Sequence, residues 1–131
     1  MKLLLDTHTF LWHCEGSPNL SSNAAGLLAN PTHNLYVSTA SIWELAIKIG
    51  LRKLSISRPF LPFVADALRQ FGIYLLPISL DDCEVYRQLP FPNPKHRDPF
   101  DRMIIIHTQR NGLSVVGNDA DFDDYGVARL W

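Results

Sequence analysis

The period of apolar positions changes repeatedly along the chain. Leu3-Leu4-Leu5 is a short continuous apolar run that closes on Asp6. Such a run reads as a strand of a parallel sheet, covered on both faces. Thr9-Phe10-Leu11-Trp12 then opens a helix that Ser17-Pro18 breaks. Ser21 or Ser22 suits the cap of a second helix through Ala24, Ala25, Leu27 and Leu28, ended by Asn30-Pro31. His33 to Ser38 is rich in β-formers and predicts the second strand.

The clearest helix runs from Ser41 to Gly50. Ile42, Leu45, Ala46 and Ile49 recur at helical spacing. Glu44 falls roughly 160° from the centre of that stripe, at about 100° per residue, and so is expected outside the core. A basic connector with Arg52, Lys53 and Arg58 leads to a helix over Pro59 to Phe71. Ile73 to Ile78 predicts the third strand, in which Pro77 marks either the end or a sheet edge. A helix from about Leu80 to Leu89 precedes the proline-rich basic loop Pro90 to Arg97.

Asp98-Pro99 combines a capping residue with proline at the first helical position. The following Met103-Ile104-Ile105-Ile106 is apolar almost all round, as in a buried helix. Asn111-Gly112 ends it, Leu113 to Val116 is the fourth strand, and Gly117-Asn118-Asp119 follows. After Asp121-Phe122, Tyr125-Gly126 turns the chain into a short last strand over Val127 to Trp131. Strands alternate with helices throughout, which predicts an α/β fold: a parallel sheet between two helical layers. The 131 residues suit one domain, with no repeat or linker suggesting a second.

Composition adds exclusions. With 47% hydrophobic and 19% charged residues, the chain is an ordinary globular sequence rather than a disordered one. No apolar run approaches the roughly 20 residues that span a bilayer, and the N-terminus is too short in apolar residues for a signal peptide. Cys14 and Cys83 form no metal or redox pattern, and both are expected to be reduced in the cytoplasm. The net charge of −1 argues against binding of nucleic acid by bulk charge. A polyanionic ligand therefore requires a local basic rim, a bound cation, or both.

Four acids can reach the edge of the sheet where ligands of open α/β folds sit. Asp6 and Asp119 end strands, Asp101 lies in a first helical turn, and Glu44 lies off a core face. Each has a plain alternative. Asp6 can cap the next helix, and Glu44 can pair with Lys48 at i+4. Asp98 and Asp101 can both serve a helix N-terminus, and Asp119 can be a turn residue. Crowded together, such carboxylates repel unless a proton or a cation neutralises them. Mg²⁺ or Mn²⁺ suits their oxygen donors.

LLLDTHTFLW, SIWELAIKIG, HRDPFDRMII and GNDADFDDYGV, in this order, resemble the PIN-domain nucleases. Within that family, the chain resembles the VapC-like ribonuclease toxins of type II toxin–antitoxin modules. The resemblance implies a three-layer α/β/α sandwich. It also implies a quartet of Asp6, Glu44, Asp101 and Asp119 that binds Mg²⁺ or Mn²⁺ and hydrolyses RNA with metal-activated water, leaving 3′-hydroxyl and 5′-phosphate ends. Asp98 is left as a helix cap or as support behind Asp101. Many relatives carry Thr or Ser two residues before the last acid, where this chain has Gly117.

The family further implies a homodimer held by a small antitoxin, with Trp12, Trp43, Phe60, Phe63 and Phe91 as candidates for the groove. Ordinary core packing is the alternative for each aromatic. Lys48, Arg52, Lys95, Arg97 and Arg102 are candidates for RNA contacts, with a structural role the alternative for Arg102. His96 is a further RNA-contact candidate, and His8 is expected to be packed or at the surface. Two other function classes stay open: a PIN-like module that binds RNA or protein without cutting, and a phosphatase with Asp6 as nucleophile. The second lacks the usual Asp two residues on, since His8 stands there.

Overall fold

The computed structural model describes all 131 residues. Five parallel strands form one sheet: β1 (Lys2–Leu5), β2 (Asn34–Ser38), β3 (Ile73–Leu76), β4 (Ser114–Val116) and β5 (Arg129–Leu130). Their order is β3-β2-β1-β4-β5, so β1 lies at the centre. Leu5 is in register with Val37 on one side and Val116 on the other. From β1 the chain first builds outward through β2 and β3, then returns to add β4 and β5 on the other flank. The order reverses between β1 and β4, which is where ligand crevices form in such sheets.

Side chains of a strand alternate between faces, and the leucine run divides accordingly. Leu3 and Leu5 pack with Phe10 and Leu11 of α1 (Thr7–Glu15), Ala24 and Leu28 of α2 (Ser22–Ala29), and Phe63, Val64 and Ala67 of α4 (Phe60–Gln70). Leu4 faces the other way, against Ile104 and Ile105 of α6 (Pro99–Asn111). The helix α3 (Thr39–Gly50) contributes Leu45 to the first core, and its Ala40 packs with Met103 and Ile106 of α6. The result is the expected three-layer α/β/α sandwich.

Several boundaries shift from expectation for local reasons. The first helix starts at Thr7 rather than Thr9, because Asp6 itself is the cap and accepts from the Thr9 amide. The third helix gains a first turn because Ser38 caps it. Pro77 both follows the end of β3 and belongs to an edge of the sheet, so its two readings coincide. The segment after β4 is a 3₁₀ helix, Ala120–Tyr125, and the last strand shortens to Arg129–Leu130.

The helix α5 (Leu80–Gln88) carries a reciprocal capping box between Ser79 and Asp82. It docks on α6 through the buried pair of Asp82 and His107, 3.1 Å apart, with Arg110 on the other carboxylate oxygen. Both cysteines are free. Burial pushes the Cys14 thiol up to about 12, and the nearby Glu15 adds to the shift. No helix is long and apolar enough to cross a membrane.

Candidate active site

The four acids named from the sequence meet at the carboxyl edge of the sheet. Three are tied to the start of a local helix. One oxygen of Asp6 accepts from the Thr9 amide at 2.8 Å, at the start of α1. Asp119 accepts from the Asp121 amide at 2.9 Å, at the start of the 3₁₀ helix. Asp101 lies in the first turn of α6, but the cap there is Asp98, which accepts from the Phe100 and Asp101 amides. Each helix N-terminus favours negative charge. The plain readings of Asp6 and Asp98 as caps therefore hold, and Asp119, expected in a turn, caps the 3₁₀ helix.

Glu44 departs from expectation by being only 8% exposed. It lies off the apolar stripe of α3, yet α1 covers it. The Thr7 hydroxyl donates to one carboxylate oxygen at 2.6 Å, and Lys48 holds the other at 2.9 Å. The i+4 ion pair is thus present, with Glu44 directed towards the residue after Asp6. Lys48, an RNA-contact candidate, is committed to that pair.

Asp6 and Asp119 line one cleft of about 220 Å³ with His8, Trp12 and Asn118. His8 is at the surface, stacked on Trp12 with ring centroids 5.4 Å apart. Gly117 explains how Asp6 fits. A Cβ at that position would stand 2.8 Å from the Asp6 carboxylate carbon, well inside contact distance. The space a side chain at position 117 would take is here filled by the Asp6 carboxylate.

His96 was expected at an RNA contact; it is instead buried beside Asp101, with Nε2 3.0 Å from Oδ2. Single donor atoms of His96, Asp101 and Asp119 all lie within 4.8 Å of one another. The spacing of HRDPFD carried this signal, since it sets His96 five residues before Asp101 across a helix start.

Arg102 corrects another expectation. It is 1% exposed and unavailable to RNA. Its guanidinium donates to the Pro90 and Leu89 carbonyls and to the Tyr125 hydroxyl, at 2.8–3.0 Å. It also lies 3.7 Å over the Phe91 ring. One residue thereby ties together the start of the loop carrying His96, the helix carrying Asp101 and the 3₁₀ helix begun by Asp119.

Arg52, Lys95 and Arg97 remain exposed. Of the groove candidates, Phe63 is buried in the core, which removes it, whereas Phe91 stays 40% exposed while its ring packs on the buried Arg102 guanidinium. Phe60 packs partly buried against the same core, while Trp12 borders the cleft and Trp43 is exposed.

The electrostatics follow from this crowding. Asp101 is pushed up to about 7 by burial. The His96 bond opposes that shift, and Asp98, Asp119 and Glu44 reinforce it. Asp6 is also raised, chiefly by burial, with Asp119 adding to it. For His96, burial disfavours charge, but the bond to Asp101 and the surrounding acids carry it above its ordinary value. Carboxylates crowded in this way have the donor chemistry for a hard divalent cation. Asp101 and Asp119 could hold one, with Asp6 lining the same cleft as Asp119 and Glu44 adding negative charge near Asp101.

A parallel sheet with an acid-lined cleft at its switch point defines the class of molecule. The chain belongs to the PIN domain family, whose sequence profile matches residues 3–128. Comparison with curated proteins gives no match. Among solved structures, the fold is similar to a chain of VapBC2 from Rickettsia felis, described as bound to a DNA fragment from its promoter. That match has a TM-score of 0.71 at 15% identity and covers 99% of this chain and 98% of that one. VapC20 from Mycobacterium tuberculosis, described as a sarcin–ricin-loop-cleaving toxin, matches with a TM-score of 0.66 at 17% identity over 98% of each chain. FitAcB from Neisseria gonorrhoeae matches with a TM-score of 0.64 at 19% identity, over 98% of this chain and 96% of that one. At these identities the likeness is one of fold. Family membership displaces the aspartyl-phosphatase alternative.

Proposed function

We propose that this protein is a Mg²⁺- or Mn²⁺-dependent endoribonuclease, the toxin of a type II toxin–antitoxin pair. The observation that carries the reading is the gathering of Asp6, Glu44, Asp101 and Asp119, from four separate stretches of chain, at one sheet edge. Bound there, divalent cations supply positive charge for the phosphodiester and lower the pKa of water. The protein's own part is to hold the donors. The Thr9 amide fixes Asp6, Thr7 and Lys48 fix Glu44, His96 fixes Asp101, and Arg102 fixes the segments around them. In this reading Lys95 and Arg97, exposed on the loop that carries His96, and Arg52, exposed just after α3, meet RNA phosphates.

The partners in this reading are RNA, a small cognate antitoxin and a second copy of the chain. Members of the VapBC family of toxin–antitoxin systems among the fold's neighbours support the antitoxin. The homodimer is supported by α3 and the residue that ends it, which expose Trp43, Ile47 and Leu51 at helical spacing. The reading places the protein in the cytoplasm, where its free cysteines stay reduced.

The test is RNA cleavage by the purified protein with Mg²⁺ or Mn²⁺. Asp6→Asn and Asp101→Asn should each abolish it, a loss of at least about 100-fold. Undiminished cleavage in EDTA would defeat the reading. RNA binding without cleavage under either metal, unaltered by Asp6→Asn, would instead identify a non-cleaving binding module.

A further inference from the structure

The four carboxylates offer a cation only oxygen, but the structure adds a nitrogen. His96 Nε2 stands 3.0 Å from Asp101 Oδ2, and Asp119 brings a third donor atom within 4.8 Å of both. Around an ion with bonds of about 2.1 Å, adjacent donors of an octahedron are about 3.0 Å apart and opposite ones about 4.2 Å. The pair of His96 and Asp101 therefore has the spacing of neighbouring positions in one coordination shell.

The imidazole is also built into place. It is buried, and its edge meets the ring of Tyr125. Its backbone amide bonds the Asn93 carbonyl at 3.0 Å, and Arg102 fastens the start of the same loop at Leu89 and Pro90. Nδ1 is buried without a partner, so no second hydrogen bond dictates which ring nitrogen carries the proton. With the ring proton on Nδ1, Nε2, which otherwise bonds Asp101 Oδ2, presents its lone pair beside the two carboxylates.

We propose that His96 is a direct ligand of the divalent ion together with Asp101 and Asp119, and that its nitrogen makes this position select Mn²⁺ over Mg²⁺. The inference rests on the metal-dependent reading above and narrows it. Mg²⁺ takes oxygen ligands and gains little from imidazole, whereas transition ions accept nitrogen readily.

The experiment uses the full chain. Mn²⁺ and Mg²⁺ are titrated separately by calorimetry, and the Mn²⁺-loaded protein is examined by pulsed electron paramagnetic resonance for ¹⁴N coupling. The wild-type protein and His8→Asn should both show the coupling of a directly bound imidazole, since His8 is the other histidine at the cleft. His96→Asn should lose the coupling and about tenfold in Mn²⁺ affinity, while Mg²⁺ affinity changes by less than about threefold.

Absence of ¹⁴N coupling in the wild-type protein overturns the inference without reference to any variant's folding, and leaves RNA cleavage free to succeed or fail by itself. Coupling that survives His96→Asn, or an equal fall in both affinities, also overturns it. Failure of both ions to bind overturns it together with the metal-dependent reading.

Discussion

Asp101 is a carboxyl whose ionisation the fold opposes. Its folded pKa of about 7 stands above the ordinary value of 3.8 because burial, first, and neighbouring acids disfavour its charge. A raised folded pKa means that the native state binds this proton more tightly than the unfolded chain does. The stabilisation is fully present below about pH 4 and is lost as pH rises through about 7. Asp101→Asn should therefore raise the melting temperature of the metal-free protein at pH 8, by roughly 3–8 °C, and by clearly less at pH 5. The same substitution should remove stabilisation by added metal, measured by differential scanning fluorimetry. Helix capping does not compete with this expectation, because Asp98 makes those bonds. In the wild type, metal affinity should rise with pH through about 7, since binding must expel the Asp101 proton. A pH-independent affinity would contradict the raised pKa.

Gly117 belongs to the same scale. Its missing side chain leaves room for the Asp6 carboxylate. Gly117→Ala should push that carboxylate off the Thr9 amide and weaken Mn²⁺ binding about tenfold, or ~1.4 kcal/mol, as read by calorimetry. Unchanged affinity would show that Asp6 relaxes freely.

Among the elements, α6 does most to join the molecule. Its apolar middle packs under the sheet through Ile104 and Ile105, and its first turn presents Asp101 to the site. Its last turns receive α5 through Asp82, which His107, Arg110 and the Ser79 amide all engage. Burial opposes ionisation of Asp82, but those bonds prevail and bring its pKa down to about 2. A depressed folded pKa contributes stability that is present above about pH 4 and fades as pH falls towards 2. Asp82→Ala would leave a buried imidazole and a guanidinium without their acceptor. The expected cost is about 2–4 kcal/mol at pH 7, measured by urea denaturation, and it should shrink at pH 3. An equal cost at both pH values would mean that packing, not charge, holds α5 in place.

At the scale of the whole molecule, the strand order decides where chemistry can occur. Because β1 is central and β4 joins its other flank, the ends of these two strands open together, bringing Asp6 beside Gly117 and Asp119. The exposed α3 stripe bears on assembly. If the chain dimerises through it, Trp43→Asp should convert dimer to monomer in sedimentation velocity while leaving the fold intact by circular dichroism. A wild-type protein that is monomeric at tens of micromolar would remove the homodimer from the proposed function.

The local pattern was enough to specify most elements. Three leucines before Asp6, the helical spacing from Ile42 to Ile49 and the Asp98-Pro99 start each fix a backbone conformation through neighbours in sequence. The acidic residues were legible as candidates because caps and strand ends follow from the same local rules. Side-chain direction was not. Arg102 and Arg97 are both basic residues of one motif, yet one faces inward to three oxygen acceptors and the other faces water. Glu44 became buried only because α1 lies across it, and His96 reached Asp101 only because a buried guanidinium and Phe91 hold its loop. These outcomes depend on contacts between segments distant in the chain. No local period encodes them, so the sequence specifies the elements and only their packing decides which polar groups share a site.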